Sequence, residues 1–74
     1  MTEWNGTPIS GGEIWTLHKG AHIAFCELWT HPLGREARLT IDGEWQRGEA
    51  FRELSALLDA TADWRKQFEA KGWA

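Results

Sequence analysis

"FCELWTHPLGREARLT", residues 25–40, is written as a β-hairpin, two extended arms around a tight turn. Pro32 presets φ for the second position of a type I turn and Gly34 suits the fourth, so "HPLG" closes the hairpin. With those four residues as the loop, Thr30 faces Arg35. The pairs continue Leu28 with Ala37, Cys26 with Leu39 and Ala24 with Ile41, all on one face, as a half-buried sheet needs. The other face pairs Trp29 with Glu36, Glu27 with Arg38 and Phe25 with Thr40. Opposite charges at Glu27 and Arg38 support this register by up to about 1 kcal/mol. The first arm thus carries bulky apolar groups on both faces.

The flanking segments extend the same pattern. "EIWTLHK" from Glu13 to Lys19, turning at Gly20 and Ala21, sets Leu17 against Ala24 and Trp15 against Cys26. On the other side Asp42 and Gly43 turn the chain into a fourth strand, "EWQR". A tight hairpin there pairs Thr40 with Trp45 and exposes the indole, whereas a type I turn with a glycine bulge brings Trp45 opposite Leu39 on the core face. The bulge buries more and is the expected form.

Beyond Arg47 the period becomes helical. Phe51, Leu54, Leu57, Leu58, Thr61, Trp64 and Phe68 form one stripe. The start is open between Glu49 and Ser55, because Gly48 and Ser55 are its only cap candidates and residues 49–52 can instead prolong the strand. At the end Gly72 fits the left-handed position after a helix, and Trp73 is placed to touch Phe68. Acidic Glu49, Glu53, Asp59 and Asp63 precede basic Arg65, Lys66 and Lys71, in the order the helix dipole favours. The expected fold is α+β: a four-stranded antiparallel β-meander with one C-terminal α-helix packed on one face, ββββα. Residues 1–12, rich in Gly, Thr, Ser and Pro, read as a flexible arm, and residues 13–74 as a single domain.

Composition narrows the function classes. Seventy-four residues make a small core, and six Trp compensate for its size. Cys26 is the single cysteine, which excludes an intrachain disulfide and suits a reducing, cytoplasmic setting. No apolar run is long enough for a membrane span and the N-terminus has no signal-like pattern, so no membrane association is expected and the Asn5-Gly6-Thr7 sequon is idle. A net charge of −3 argues against a general nucleic-acid binder.

Candidate chemistry is sparse. The expected pairing sends His18 and His22 to opposite faces and His31 to the far end of the sheet, so the three cannot converge on a metal. Cys26 falls on the core face between Trp15 and Leu39, where a thiol is inert. Ser10 and Ser55 lack His and Asp partners, and "SGG" at residues 10–12 lacks the strand and lysine of a phosphate loop. Neither a catalytic residue nor a cofactor is expected, and an enzyme is not the expected reading.

The outer sheet face is what remains: Ile14, Thr16, His18, Ile23, Phe25, Glu27, Trp29, Glu36, Arg38 and Thr40, an aromatic strip edged by charge. Trp, Phe and Arg are residues that interfaces favour, so Ile14, Ile23, Phe25, Trp29 and Arg38 are candidates for binding a protein partner or a second copy of the chain. Alternatively, the arm folds over this face with Trp4 and Ile9 covering Phe25 and Trp29. A third reading stacks bases on Phe25 and Trp29 with Arg35, Arg38 and Arg47 meeting phosphates. Against it, residues 13–47 hold four Lys or Arg and five Asp or Glu. Small size and acidity also fit an inhibitor encoded by a phage or mobile element.

"WTLHK", "ELWTHPLGREARLTIDGE" and "WRKQFEAKGW" together resemble a set of short bacterial proteins with no assigned activity. The resemblance spans about residues 14–73. It implies the same fold and a bacterial or phage origin, and it carries no site residue.

Overall fold

The computed structural model describes residues 10–74. Four strands, β1 (Ser10–Lys19), β2 (His22–His31), β3 (Gly34–Ile41) and β4 (Glu44–Phe51), form one antiparallel sheet in the order β1-β2-β3-β4, and helix α1 (Leu54–Glu69) follows. This is the expected ββββα meander of the α+β class. The first strand begins at Ser10, three residues earlier than expected, so residues 10–12 of the presumed arm belong to the sheet. Trp4 and Ile9, and with them the arm as a cover for the outer face, lie outside the described residues.

Each strand connection is a two-residue turn. Gly20, at φ 60°, opens the first with a positive φ at its first position, as a type II′ turn does. Pro32 and Leu33 make the second, leaving His31 opposite Gly34 and Thr30 opposite Arg35. Gly34 has a reason beyond turn preference: its φ is 140°, and a Cβ there would stand 2.7 Å from the Phe51 carbonyl oxygen. The end of β4 therefore packs directly on the hairpin backbone.

Asp42 and Gly43 both have positive φ, 53° and 82°, which makes the third turn the tight type I′ form. Trp45 accordingly pairs with Thr40 and its side chain is 64% exposed, correcting the expectation that it turns into the core. The twist of a type I′ turn matches that of its strands, and this local preference outweighs burial of one more indole. The extra residue comes later: the register slips between Leu39 and Thr40, leaving Gln46 unpaired and bringing Arg47 opposite Leu39.

The remaining registers are those read from the hairpin. Leu17 faces Ala24 and Trp15 faces Cys26; Ala24, Cys26 and Leu28 face Ile41, Leu39 and Ala37. Small Ala24, Cys26 and Ala37 at the sheet centre, all fully buried, let α1 approach closely. Leu57, Thr61 and Trp64 are the buried helix residues, and Phe68 packs beside them. Leu54 and Leu58 of the expected stripe are 39% and 48% exposed, because the helix meets the narrow sheet along a single line.

Helix α1 starts at Leu54 rather than Glu49, so Glu49 supports a strand and no acidic residue lies in the first turn. Glu53 occupies the N-cap with no side-chain cap, and its carbonyl accepts the Leu57 N–H at 3.2 Å. At the other end Gly72, at φ 95°, lets the Trp73 N–H reach the Phe68 carbonyl at 3.1 Å and the Gly72 N–H reach that of Glu69 at 3.0 Å. This is a Schellman motif, and the Phe68 and Trp73 rings meet edge-on at 5.3 Å. The chain then runs beside β1: Ala74 and His18 exchange two backbone hydrogen bonds, at 2.7 and 2.9 Å, and Lys19 Nζ donates to the Lys71 carbonyl at 2.7 Å.

Candidate interaction surface

The two paired registers arrange the outer face as rows across the strands. One row is Thr16, Phe25, Thr40 and Trp45; the next is Glu13, Glu27, Arg38 and Gly48; a third is Ser10, Trp29, Glu36 and Ala50. Phe25, Trp29 and Trp45 thus surround Arg38 and Thr40. Ile23, 43% exposed, continues the apolar area past Phe25.

Arg38 ties this surface together. Its guanidinium carbon lies 4.3 Å from the centroid of the Trp29 ring, and its Nε is 2.9 Å from Glu36 Oε1. The cross-strand neighbour Glu27, expected to pair with Arg38, instead accepts the Trp29 indole N–H at 3.3 Å and the Ser10 hydroxyl at 3.5 Å. The register is the expected one, but the diagonal from Arg38 to Trp29 carries the contact. Both indole and guanidinium are half-buried and fixed by these bonds, so little side-chain freedom is lost when something packs on them.

Trp45 was not among the residues expected here. Its ring lies over Gly48: a Cβ at residue 48 would be 3.2 Å from Trp45 Cζ2 and 2.8 Å from Glu36 Oε2. The indole occupies the space a side chain at residue 48 would need, and only a residue without one leaves that room. Conversely, Ile14 leaves the expected set. It lies at the irregularity where Glu13 faces Glu27 and Trp15 faces Cys26, and the bulge turns its side chain onto the edge of the core.

The charge on this face is mostly negative. Glu13, Glu27 and Glu36 share the central rows with Arg38, and Arg38 is already engaged by Glu36. Arg47 lies on the helix side, its guanidinium carbon 4.2 Å from the Trp64 ring centroid, and Arg35 shares that side with Thr30 and Phe51. Arg35, Arg38 and Arg47 are therefore divided between two faces and form no single phosphate-binding set.

The other reactive groups are occupied by structural contacts. Cys26 is fully buried, and burial, helped by the charge of Glu27, pushes its thiol up to about 12. His22 Nδ1 lies 2.6 Å from Asp42 Oδ2, and His31 Nδ1 accepts the Leu33 N–H at 3.1 Å. The hydrogen bond from His22, together with the Ile23 N–H on its other oxygen, holds the Asp42 carboxyl below the ordinary carboxylate range. Among the described residues no three His, Cys, Asp or Glu side chains are grouped as metal ligands, no pocket opens, and no helix is long and apolar enough to cross a membrane. Comparison of the chain with protein-family models, with curated proteins and with solved structures returns no match.

Proposed function

We propose that the chain is a small non-catalytic interaction module that binds another protein through its outer sheet face, at Ile23, Phe25, Trp29, Arg38 and Trp45. The carrying observation is the 64% exposure of Trp45 beside the half-buried Phe25 and Trp29 on a preorganised sheet. Aromatic anchors flanking an arginine are the composition of interface hot spots. The carboxylates of Glu13, Glu27 and Glu36 on this face suit a partner that brings an apolar plug rimmed by Lys or Arg, and they repel phosphate. The single cysteine favours a reducing, cytoplasmic setting for the encounter.

The test compares wild type with Trp45→Asp and Trp29→Asp, each first shown by circular dichroism to be folded. Immobilised chains are exposed to cytoplasmic extract, and purified chains are sized by light scattering. Retention of a defined protein by the wild type and its loss in both variants supports the proposal. Equal retention by all three, with no self-association that depends on these residues, sinks it.

A further inference from the structure

We propose that β4 is a self-pairing edge, through which two copies of the chain join antiparallel about a twofold axis at Gly48 to make one continuous eight-stranded sheet. This interface runs along the β4 edge, shares only Trp45 with the outer-face site, and would lay two such faces side by side. The two sheet edges are not equivalent. On β1, Ala74 already exchanges two backbone hydrogen bonds with His18. On β4, among the described residues, the side away from β3 pairs with no strand. Alternate residues of such a strand direct both backbone groups outward, a ready template for another strand.

The sequence of β4 selects one partner register. Joining outer face to outer face requires the twofold axis to pass a residue, since a one-residue offset would set outer side chains against inner ones. An axis at Arg47 opposes two arginines, and an axis at Glu49 opposes two glutamates. At Gly48, between them, Arg47 meets the partner's Glu49, twice by symmetry, and the axis itself crosses a residue with no side chain to clash. Within one chain Arg47 Nη2 and Glu49 Oε1 are 3.7 Å apart and both side chains are about half exposed, so this loose contact is readily exchanged. The register slip at the unpaired Gln46 bounds the regular part of β4, which pairs with β3 from Arg47 to Phe51 and holds Gly48 and both charged residues.

An apolar contact accompanies the charges. Trp45 lies over Gly48 on the outer face, so the twofold axis brings the two largely exposed indoles next to one another. The same side chain that leaves the monomer's surface apolar thereby gains a cover at the junction.

Sedimentation equilibrium over a concentration series reads the outcome. The wild type should approach twice the 8.5 kDa chain mass. Arg47→Glu alone and Glu49→Arg alone each oppose like charges and should raise the dissociation constant by about tenfold or more. An equimolar mixture of the two single variants should form a heterodimer, because Glu at 47 then meets Glu49→Arg chains' new charge while Glu49 meets Arg47. Glu49→Arg leaves the stacking of Arg47 on Trp64 in place, so it reports on pairing even where Arg47→Glu weakens the fold. A wild type that stays at the monomer mass overturns the edge pairing and leaves the outer-face proposal standing. A dimer abolished by Trp29→Asp but untouched by both charge variants overturns it as well, in favour of the face. Failure of the mixture to re-pair also overturns it.

Discussion

The indole N–H of Trp15 donates to the main-chain carbonyl oxygen of Thr61 across 2.9 Å, joining the first strand to the middle of the helix in the protein interior. The same ring meets Phe68 at 5.9 Å, so one side chain holds two turns of α1 onto the sheet. Trp15→Phe removes the donor and part of the ring, and should cost about 2 kcal/mol. Thr61→Val keeps the carbonyl and should cost less. Urea denaturation with an unchanged slope would show both as shifts in midpoint; equal midpoints for the two variants would contradict this role of the hydrogen bond.

Gly34 should resist any side chain. Gly34→Ala places a Cβ against the Phe51 carbonyl at 2.7 Å and forces a non-glycine residue to φ 140°. A loss of at least about 2 kcal/mol follows from strain and displaced backbone together. Thermal unfolding measures it, with Gly20→Ala as the contrast: its φ of 60° is reachable at lower cost and nothing stands within 4 Å of the added Cβ.

The buried thiol predicts an alkaline loss of stability. Cys26 in the fold keeps its proton up to about 12, whereas the unfolded thiol releases it near 9.0. Above pH 9 the unfolded state therefore binds fewer protons, and stability falls as pH rises, at up to about 1.4 kcal/mol per pH unit. Cys26→Ala should flatten this limb in chemical denaturation at pH 8 and pH 10. In the native wild type at pH 8, a thiol reagent should react only as fast as the protein opens.

Asp42 predicts the opposite limb. Its carboxyl is held below the ordinary 3.8 by His22 and the Ile23 N–H, so its contribution is present above that value and is lost as pH falls through the lower folded-state value. Asp42→Asn keeps a residue that tolerates φ 53° and an acceptor for Ile23, and removes the charge. Acid unfolding of this variant should show a shallower dependence below pH 3.8 than the wild type; parallel curves would refute the linkage.

The hairpin "FCELWTHPLGREARLT" carried most of the fold, because alternation on both arms and a proline turn fix the register with little help from the rest. Trp15, Leu17, Cys26 and Leu39 followed from it into the core. Trp45 did not. The Asp-Gly dipeptide already favours a tight turn, but its local preference was set against the burial of an indole, and on a small sheet the turn prevails. Ile14 was misplaced for a related reason: strict alternation cannot show where an irregularity reverses the faces, and Ile14 lies beside one. On the outer face Phe25, Trp29 and Ile23 were readable from two-sided apolarity in one strand. The stacking of Arg38 on Trp29 was not, since a diagonal contact has no signature in the pair opposite.

The three two-residue turns make every strand pairing a contact between chain neighbours. Such a sheet can find its registers locally, one hairpin at a time, and low contact order favours rapid folding. The backbone clasp between His18 and Ala74 is of another kind, because it joins positions near opposite ends of the chain and needs the helix to be docked first. It is placed to close last, so opening of the helix end is the natural first step of unfolding, with the meander and its aromatic surface outlasting it.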